Sequence, residues 1–526
     1  MTRWITAAAV GGLLAATALP AQAQQGEYFI LHSATDTISI ERFRRTSTQL
    51  DAELLFKVAN VRYKFTADLA PDGSVTKLTN TYWQAADTVG AEPRQTAVMT
   101  FTGDSVIAEI SGGGHSVTQR LGSEAGAIPI LNPSISVMEL VLARAKATGK
   151  SEVPGFAVAG GKTFPITVTR PTPDSAVIIM AGAEARLAVD AQGRITGGGM
   201  PAQHLTVDRV SAAEAPSLRV RPPDYSVPPG APYDAIEVKV PTPMGHTLAG
   251  TLTLPHGASA TAKVPAIVTI TGSGLEDRDE SLPIVEGYRP FRQVADSLAR
   301  RGIATLRMDD RGYGASGGNG ATATSADFAD DIRAGLAWLR ERPEIDGTRL
   351  GLVGHSEGGL IAPMVAATDP KLKGIVLMAG PALTGRTIIN FQLKNNFTKN
   401  KELSAKQRDS LLKEIPNMVD SMATQPWSKF FLDYDPVPTA RKVKVPVLIL
   451  QGATDQQVTP NQATMLDQAF KAGGDKDVTM KVFPNLNHLF VYDPSGFPGG
   501  YTQLKDRAVS RQVIGTLVDW LATHLR

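Results

Sequence analysis

Six prolines fall within seventeen residues between Pro216 and Pro232, in the run PSLRVRPPDYSVPPGAP. Proline fixes φ and offers no N–H, so such a run continues neither a helix nor a central strand and reads as an extended linker. It assigns residues 216–234 to a linker, with the boundary near Tyr225, and divides the 526-residue chain into two parts with different rhythms. A chain of this length exceeds one ordinary core, so two domains are the expectation.

From 24 to 215, segments such as KLTNTYWQ, QTAVMTFTGDSVIAEIS and TFPITVTR alternate apolar with polar residues between Asp-Gly, Gly-Gly and Pro signals. That pattern predicts a mainly antiparallel β domain. One helical interruption is expected around SISVMELVLARAKATG. From 235 to 526 an opening hairpin, IEVKVPTP with HTLAGTLTLP, gives way to short apolar runs (VPAIVTITG, IATLRMDD, LGLVGHS, LKGIVLMAG, VPVLILQG, VTMKVFP) separated by amphipathic stretches. Unalternating strands divided by helices predict a mostly parallel, doubly wound α/β sheet covered on both faces. About residues 385–442 break this rhythm with further helical content, expected to form a cap over a site.

Residues 1–23 combine Arg3, a short apolar stretch and Ala21-Gln22-Ala23, which reads as a cleaved export signal, with the periplasm of a bacterium or the medium as destination. No later stretch is apolar for long enough to predict an integral membrane span. There is no cysteine, hence no disulfide and no thiolate nucleophile. A balance of 53 basic against 51 acidic residues gives no electrostatic footprint for nucleic acid.

Gly354-His355-Ser356-Glu357-Gly358 follows a predicted strand and opens a predicted helix. A strand turning directly into a helix strains its corner residue, and flanking glycines let neighbouring backbone approach, which exposes the serine hydroxyl at a helix N-terminus. A hydroxyl needs a base to become a nucleophile, and histidine suits that task near neutral pH. His488 lies in the loop PNLNHLF after a strand, whereas His524 lies in the final amphipathic stretch and reads as a solvated helix residue. Asp455, 33 residues before His488, ends VPVLILQGATD and is the acid expected to orient the imidazole; Asp433, Asp435 and Asp467 read as solvated charges. The backbone N–H of Glu357 and one from the loop Thr271-Gly272-Ser273-Gly274, Ser273 before Gly274, are the expected oxyanion donors. Glu276-Asp277-Arg278-Asp279 reads as an ion-pair knot or part of the rim. No metal spacing is present and no cofactor is expected; Gly312-Tyr313-Gly314-Ala315-Ser316-Gly317 matches a dinucleotide fingerprint but lacks the helix that must open at its third glycine.

With these residues in view, TGSGLEDRD, MDDRGYGASGG, GLVGHSEGGLIAP, LILQGATDQQV and LNHLF, in that order over roughly 235–526, resemble the α/β-hydrolase superfamily, specifically serine esterases grouped with dienelactone-hydrolase-like and S9-peptidase-like enzymes. The resemblance implies Ser356 as nucleophile, Asp455 as acid and His488 as base. Thr271 stands where many esterases carry the histidine of their H-G-G-G loop. The expected activity is hydrolysis of a small-molecule acyl ester. Peptidase or amidase action, acyl transfer, and a ligand-binding β domain carrying an inactive hydrolase are the alternatives. A seven-bladed propeller of the usual peptidase kind needs roughly 300 residues, more than the N-terminal part supplies.

Overall fold

The computed structural model describes residues 26–526 apart from 34–36, 58–60, 86, 88–91, 113–114, 181, 219–223, 283, 286, 401–402, 404 and 424. The export signal expected over 1–23 lies outside the described residues, as does the middle of the proline run.

Among the described residues the N-terminal part forms one sheet of fifteen strands, antiparallel except where Ile128–Ile130 runs parallel to Glu152–Ala157. The pleat explains the sequence alternation: Leu50, Ala52 and Leu54 are buried in turn along Gln49–Phe56, as are Ala185, Leu187 and Val189 along Ala183–Val189. The first strand, Glu27–His32, pairs with the last, Leu205–Val210, with Tyr28 opposite Val210.

The connection between the two parallel strands is the predicted helix, Ile135–Thr148. It is apolar nearly all round, with Ile135, Val137, Met138, Leu140, Val141, Leu142 and Ala145 buried, as a helix enclosed by its own sheet must be. Enclosure leaves the N–H groups of its first turn without water. Glu41, from the strand Thr37–Arg45, replaces that water: its carboxylate accepts from Ile135 N at 2.8 Å, Ser136 N at 3.0 Å, Ser134 Oγ at 2.5 Å and Ser136 Oγ at 2.6 Å. Burial pushes the Glu41 carboxyl above its usual range, while these four donors and the positive end of the helix act the other way. Glu41→Ala strands all four donors. At about 1–3 kcal/mol for each buried group left unpaired, the unfolding of this part is expected to move to markedly lower temperature, read by calorimetry on the full chain.

The C-terminal part is an eight-stranded sheet ordered Tyr233–Pro241, Thr247–Pro255, Ala304–Met308, Val264–Ile270, Ile345–His355, Gly374–Met378, Val447–Gly452, Val478–Phe483. The first two strands form the predicted hairpin, and from Ala304–Met308 onward every pair is parallel. Successive residues of the central strands enter different cores: Leu352, Ile375, Leu377 and Ile449 pack on one face, Val353, Val376, Met378, Leu448 and Leu450 on the other. Two apolar layers served by one strand leave no polar alternation to see, which accounts for the continuous runs. Between Gly374–Met378 and Val447–Gly452 stand four helices, Gly385–Lys399, Ala405–Met422, Pro426–Asp433 and Pro436–Ala440, in the stretch expected to form a cap. Among the described residues no helix is long and apolar enough to cross a membrane.

The fingerprint-like loop has a structural use. Gly312 and Gly314 take φ of 75° and 53°, and the amide of Gln84, from the β domain, donates to Gly312 O at 3.3 Å and accepts from Gly314 N at 3.1 Å. From the linker, Tyr225 lies over the Arg278 guanidinium, 4.1 Å from the ring centroid. Both contacts fasten the first part of the chain beside the carboxyl ends of the parallel strands.

Candidate active site

Open parallel sheets place their reactive groups in the loops beyond the strand carboxyl ends. Four such loops meet here, after Ile270, His355, Gly452 and Phe483. Ser356 stands between the strand Ile345–His355 and the helix Glu357–Ala366 with φ 53° and ψ −117°, a conformation that costs a non-glycine residue about 1–3 kcal/mol. The surroundings enforce it. Ser356 N donates to Met378 O at 2.9 Å, and a Cβ on Gly354 would meet Gly358 O at 2.1 Å, while one on Gly358 would meet Ile270 O at 2.1 Å. The two glycines of the motif are therefore places where chain crosses chain.

His488 Nδ1 donates to Asp455 Oδ2 at 2.8 Å, and the two residues are 4% and 2% exposed. The acid is itself held: its Oδ1 accepts from Gln457 N at 2.8 Å and Val458 N at 3.0 Å, and its Oδ2 from Gln451 Nε2 at 2.9 Å. Asn487 Oδ1 fastens the histidine loop by accepting from Leu489 N and Val491 N at 3.0 and 3.2 Å. Ser356 and His488 line the same cavity, of about 310 Å³. The rival residues lie elsewhere. His524 stacks on Trp520 and pairs with Asp477, Asp435 caps the helix Pro436–Ala440, Asp467 pairs with Lys471, and Asp433 pairs with Arg386.

The loop after Val264–Ile270 runs along the serine: a Cβ on Gly272 would stand 3.5 Å from Ser356 Cβ. Gly272 N donates to Glu276 Oε2 at 3.0 Å, so that amide is occupied. Ser273 and Glu357 line the cavity with Ser356. Gly274, the other candidate donor of this loop, takes φ 114° beyond Ser273 and is not among the residues that line the cavity. The Glu276–Asp279 stretch divides between its two expected uses. Arg278 pairs with Asp309 at 2.8 Å and Asp279 with Arg307 inside the fold, whereas Glu276 lines the cavity. Burial, then the carboxylates of Glu280 and Asp310, push the Glu276 carboxyl well above its usual range. Asp310, which accepts from Thr271 Oγ1 at 3.0 Å and Glu276 N at 2.9 Å, is pushed well up chiefly by burial.

Residues 284–495 match the family described as serine aminopeptidase, S33. Esterase EstD of Thermotoga maritima is 27% identical over 309 residues, which span 57% of this chain and 70% of that protein. Dipeptidyl aminopeptidase BIII of Pseudoxanthomonas mexicana is 25% identical over 255 residues, 47% of this chain and 34% of that protein. Among solved structures, the Pyrococcus furiosus esterase Pf2001 covers 58% of this chain and 97% of its own at 18% identity, with a TM-score of 0.40. The C-terminal part has an α/β-hydrolase fold.

The hydrolase cavity is roofed by the excursion: Ile388, Ile389, Gln392, Trp427 and Phe431 line it. Of the aromatic residues expected there, Trp427 and Phe431 stack at 5.2 Å on the cavity wall. Phe430 instead stacks on Tyr434, Phe397 packs against Ile415, Val419 and Leu432, and Phe391 is 40% exposed.

A second histidine, passed over in the sequence, supports the first. His355 Nε2 donates to His488 O at 2.9 Å, and its Nδ1 meets Glu280 Oε1 at 2.5 Å, with the two imidazole rings 4.9 Å apart. Burial opposes charge on His355, but the Glu280 carboxylate and the bond to His488 O hold its pKa above the usual value. Both ring nitrogens face acceptors, an arrangement that favours the charged form of the ring behind the histidine loop. The only sequence trace of this pair is a histidine inside the G-x-S-x-G motif. Nothing local marks Glu280, 75 residues earlier, as its partner.

Proposed function

We propose that this hydrolase cleaves carboxylic esters of small molecules through an acyl-enzyme on Ser356. His488 Nε2 takes the hydroxyl proton as Ser356 Oγ adds to the acyl carbonyl carbon. The resulting oxyanion is met by the N–H groups of Glu357 and Ser273. His488 then gives its proton to the departing alcohol oxygen, leaving the acyl group on Ser356. Water repeats the sequence with His488 again as base and releases the acid. Asp455 holds Nδ1–H and steadies the transient imidazolium. The carrying observation is that Ser356, on its strained corner, and His488, backed by Asp455 at 2.8 Å, face one cavity. The wall formed by Ile388, Ile389, Trp427 and Phe431 suits an apolar acyl group, and the relative named an esterase supports the same reading. With the leader of residues 1–23, we place the enzyme outside the cytoplasm.

Peptide or amide hydrolysis is the second reading, favoured by the S33 match and the dipeptidyl aminopeptidase relative. A panel of p-nitrophenyl esters of increasing acyl length against aminoacyl anilides separates the two. Esters are expected to be turned over faster by the wild-type protein, with a dependence on acyl length; anilides exceeding every ester would reverse the assignment.

A further inference from the structure

The mechanism gives His355 and Glu280 no step, yet burial and backbone strain concentrate on them. Both are 3% exposed, and a carboxylate so enclosed is costly unless it is held. Glu280 Oε1 meets His355 Nδ1 at 2.5 Å, and among the described residues its Oε2 has no hydrogen-bond partner, so the ring is what holds this carboxylate. Three non-glycine residues with positive φ stand around the ring: Glu280 at 56°, Ser356 at 53° and Phe490 at 56°. Glu280 is its acid, Ser356 follows it in the chain, and the Phe490 ring meets it edge-on with centroids 6.1 Å apart. Strain of this kind persists only where the surroundings over-determine it, and it gathers at functional sites.

The ring lies between the two groups that must meet. Through the main chain it carries Ser356 directly, and at its other edge Nε2 donates to His488 O at 2.9 Å. The bonds that Asn487 Oδ1 accepts from Leu489 N and Val491 N shape the histidine loop within itself, whereas the bond from His355 ties that loop to the strand ending at the nucleophile. His355, Glu280, Ser356 and His488 line one cavity. We propose that His355 is a positioning residue that sets the span between nucleophile and base, with Glu280 as the group that fixes its ring; the inference rests on the esterase reading of Ser356 and His488. Asp455 accepts from His488 Nδ1 and sets the tautomer and tilt of that ring. The bond to His488 O sets where its main chain stands relative to Ser356. Proton transfer from Ser356 Oγ to His488 Nε2 needs hydrogen-bond reach, and a misplacement of about 1 Å is enough to lose on the order of a hundredfold in rate.

The experiment measures kcat and KM on a p-nitrophenyl ester, the rate of inactivation by a fluorophosphonate and the melting temperature for three variants of the full chain. His355→Asn puts an amide N–H near the place of Nδ1, which keeps a donor for Glu280 and removes the donor to His488 O. His355→Gln reaches the place of Nε2 and keeps the donor to His488 O, but turns its amide oxygen toward the Glu280 carboxylate. His355→Gln with Glu280→Gln removes that clash of acceptors, since one amide then donates to the other. Both kcat and the inactivation rate are expected to fall roughly a hundredfold in His355→Asn and about tenfold in His355→Gln, with KM nearly unchanged, and most of the tenfold loss is expected to return in the double variant. A ring that only fills space gives a different pattern: the double variant is no better than His355→Gln, and the losses follow the melting temperature or appear in KM. That result overturns the inference and leaves the esterase reading standing. If His355→Asn does not fold, the comparison of the other two variants decides alone. A wild-type protein that neither turns over the ester nor reacts with the probe at Ser356 removes both together.

Discussion

Ser356→Ala is expected to lower ester turnover by roughly a millionfold and to abolish labelling by a fluorophosphonate probe. The hydroxyl is the only atom removed, and the corner it occupies is enforced by others: the bond from its N–H to Met378 O and the crossings at Gly354 and Gly358 do not involve the side chain. Alanine meets the same φ of 53° with the same Cβ, so the melting temperature should stay close to that of the wild type while activity disappears. Residual turnover within tenfold of wild type would mean that another group attacks the substrate, and the proposed mechanism would fall.

The second large effect is that of Asp455→Asn, roughly ten-thousandfold in kcat. The environment dictates how an asparagine would sit. Gln457 N and Val458 N both donate toward the Oδ1 position, so the amide oxygen must remain there. Its NH2 then takes the place of Oδ2 and opposes His488 Nδ1 and Gln451 Nε2, both donors in the wild type. The imidazole relieves the conflict by moving its proton to Nε2, which is the atom that must be bare to accept one from Ser356. The measurement is kcat on an activated ester beside a thermal melt. A loss of activity without a comparable loss of stability supports a tautomer defect, whereas a fully active variant would show that Asp455 does not orient the base.

What could be read from the chain beforehand follows from where the information lies. Ser356, Asp455 and His488 each sit just past an apolar strand, and a strand end is a local pattern. Knowing that the sheet is parallel brings those ends to one edge without knowledge of any contact. The groups that remained invisible depend on partners distant in the chain: His355 on Glu280 across 75 residues, Ser134 on Glu41 across 93, Trp427 on Glu357 across 70. Acidic residues of this kind look like solvated charges until the fold encloses them. The Gly312–Gly317 stretch fails as a dinucleotide site on context alone, yet its use as an anchor for Gln84 depends on a residue more than two hundred positions away. In the first half, alternation identifies strands and turns, but no local feature announces that the fifteen described strands join into one sheet around the helix Ile135–Thr148.

That sheet has its earliest and latest strands side by side. Glu27–His32 meets Leu205–Val210, and Arg209 reaches Glu27 across 182 positions. Hairpins on either flank can zip up as they emerge, but the seam joining them waits for the whole of the first two hundred residues, and the entropy of closing so long a loop must be met before any of its ladder forms. Maturation of the first half is therefore gated by its final strand, and a chain truncated just short of Leu205 would leave Glu27–His32 with one unsatisfied edge, open to pairing with another molecule.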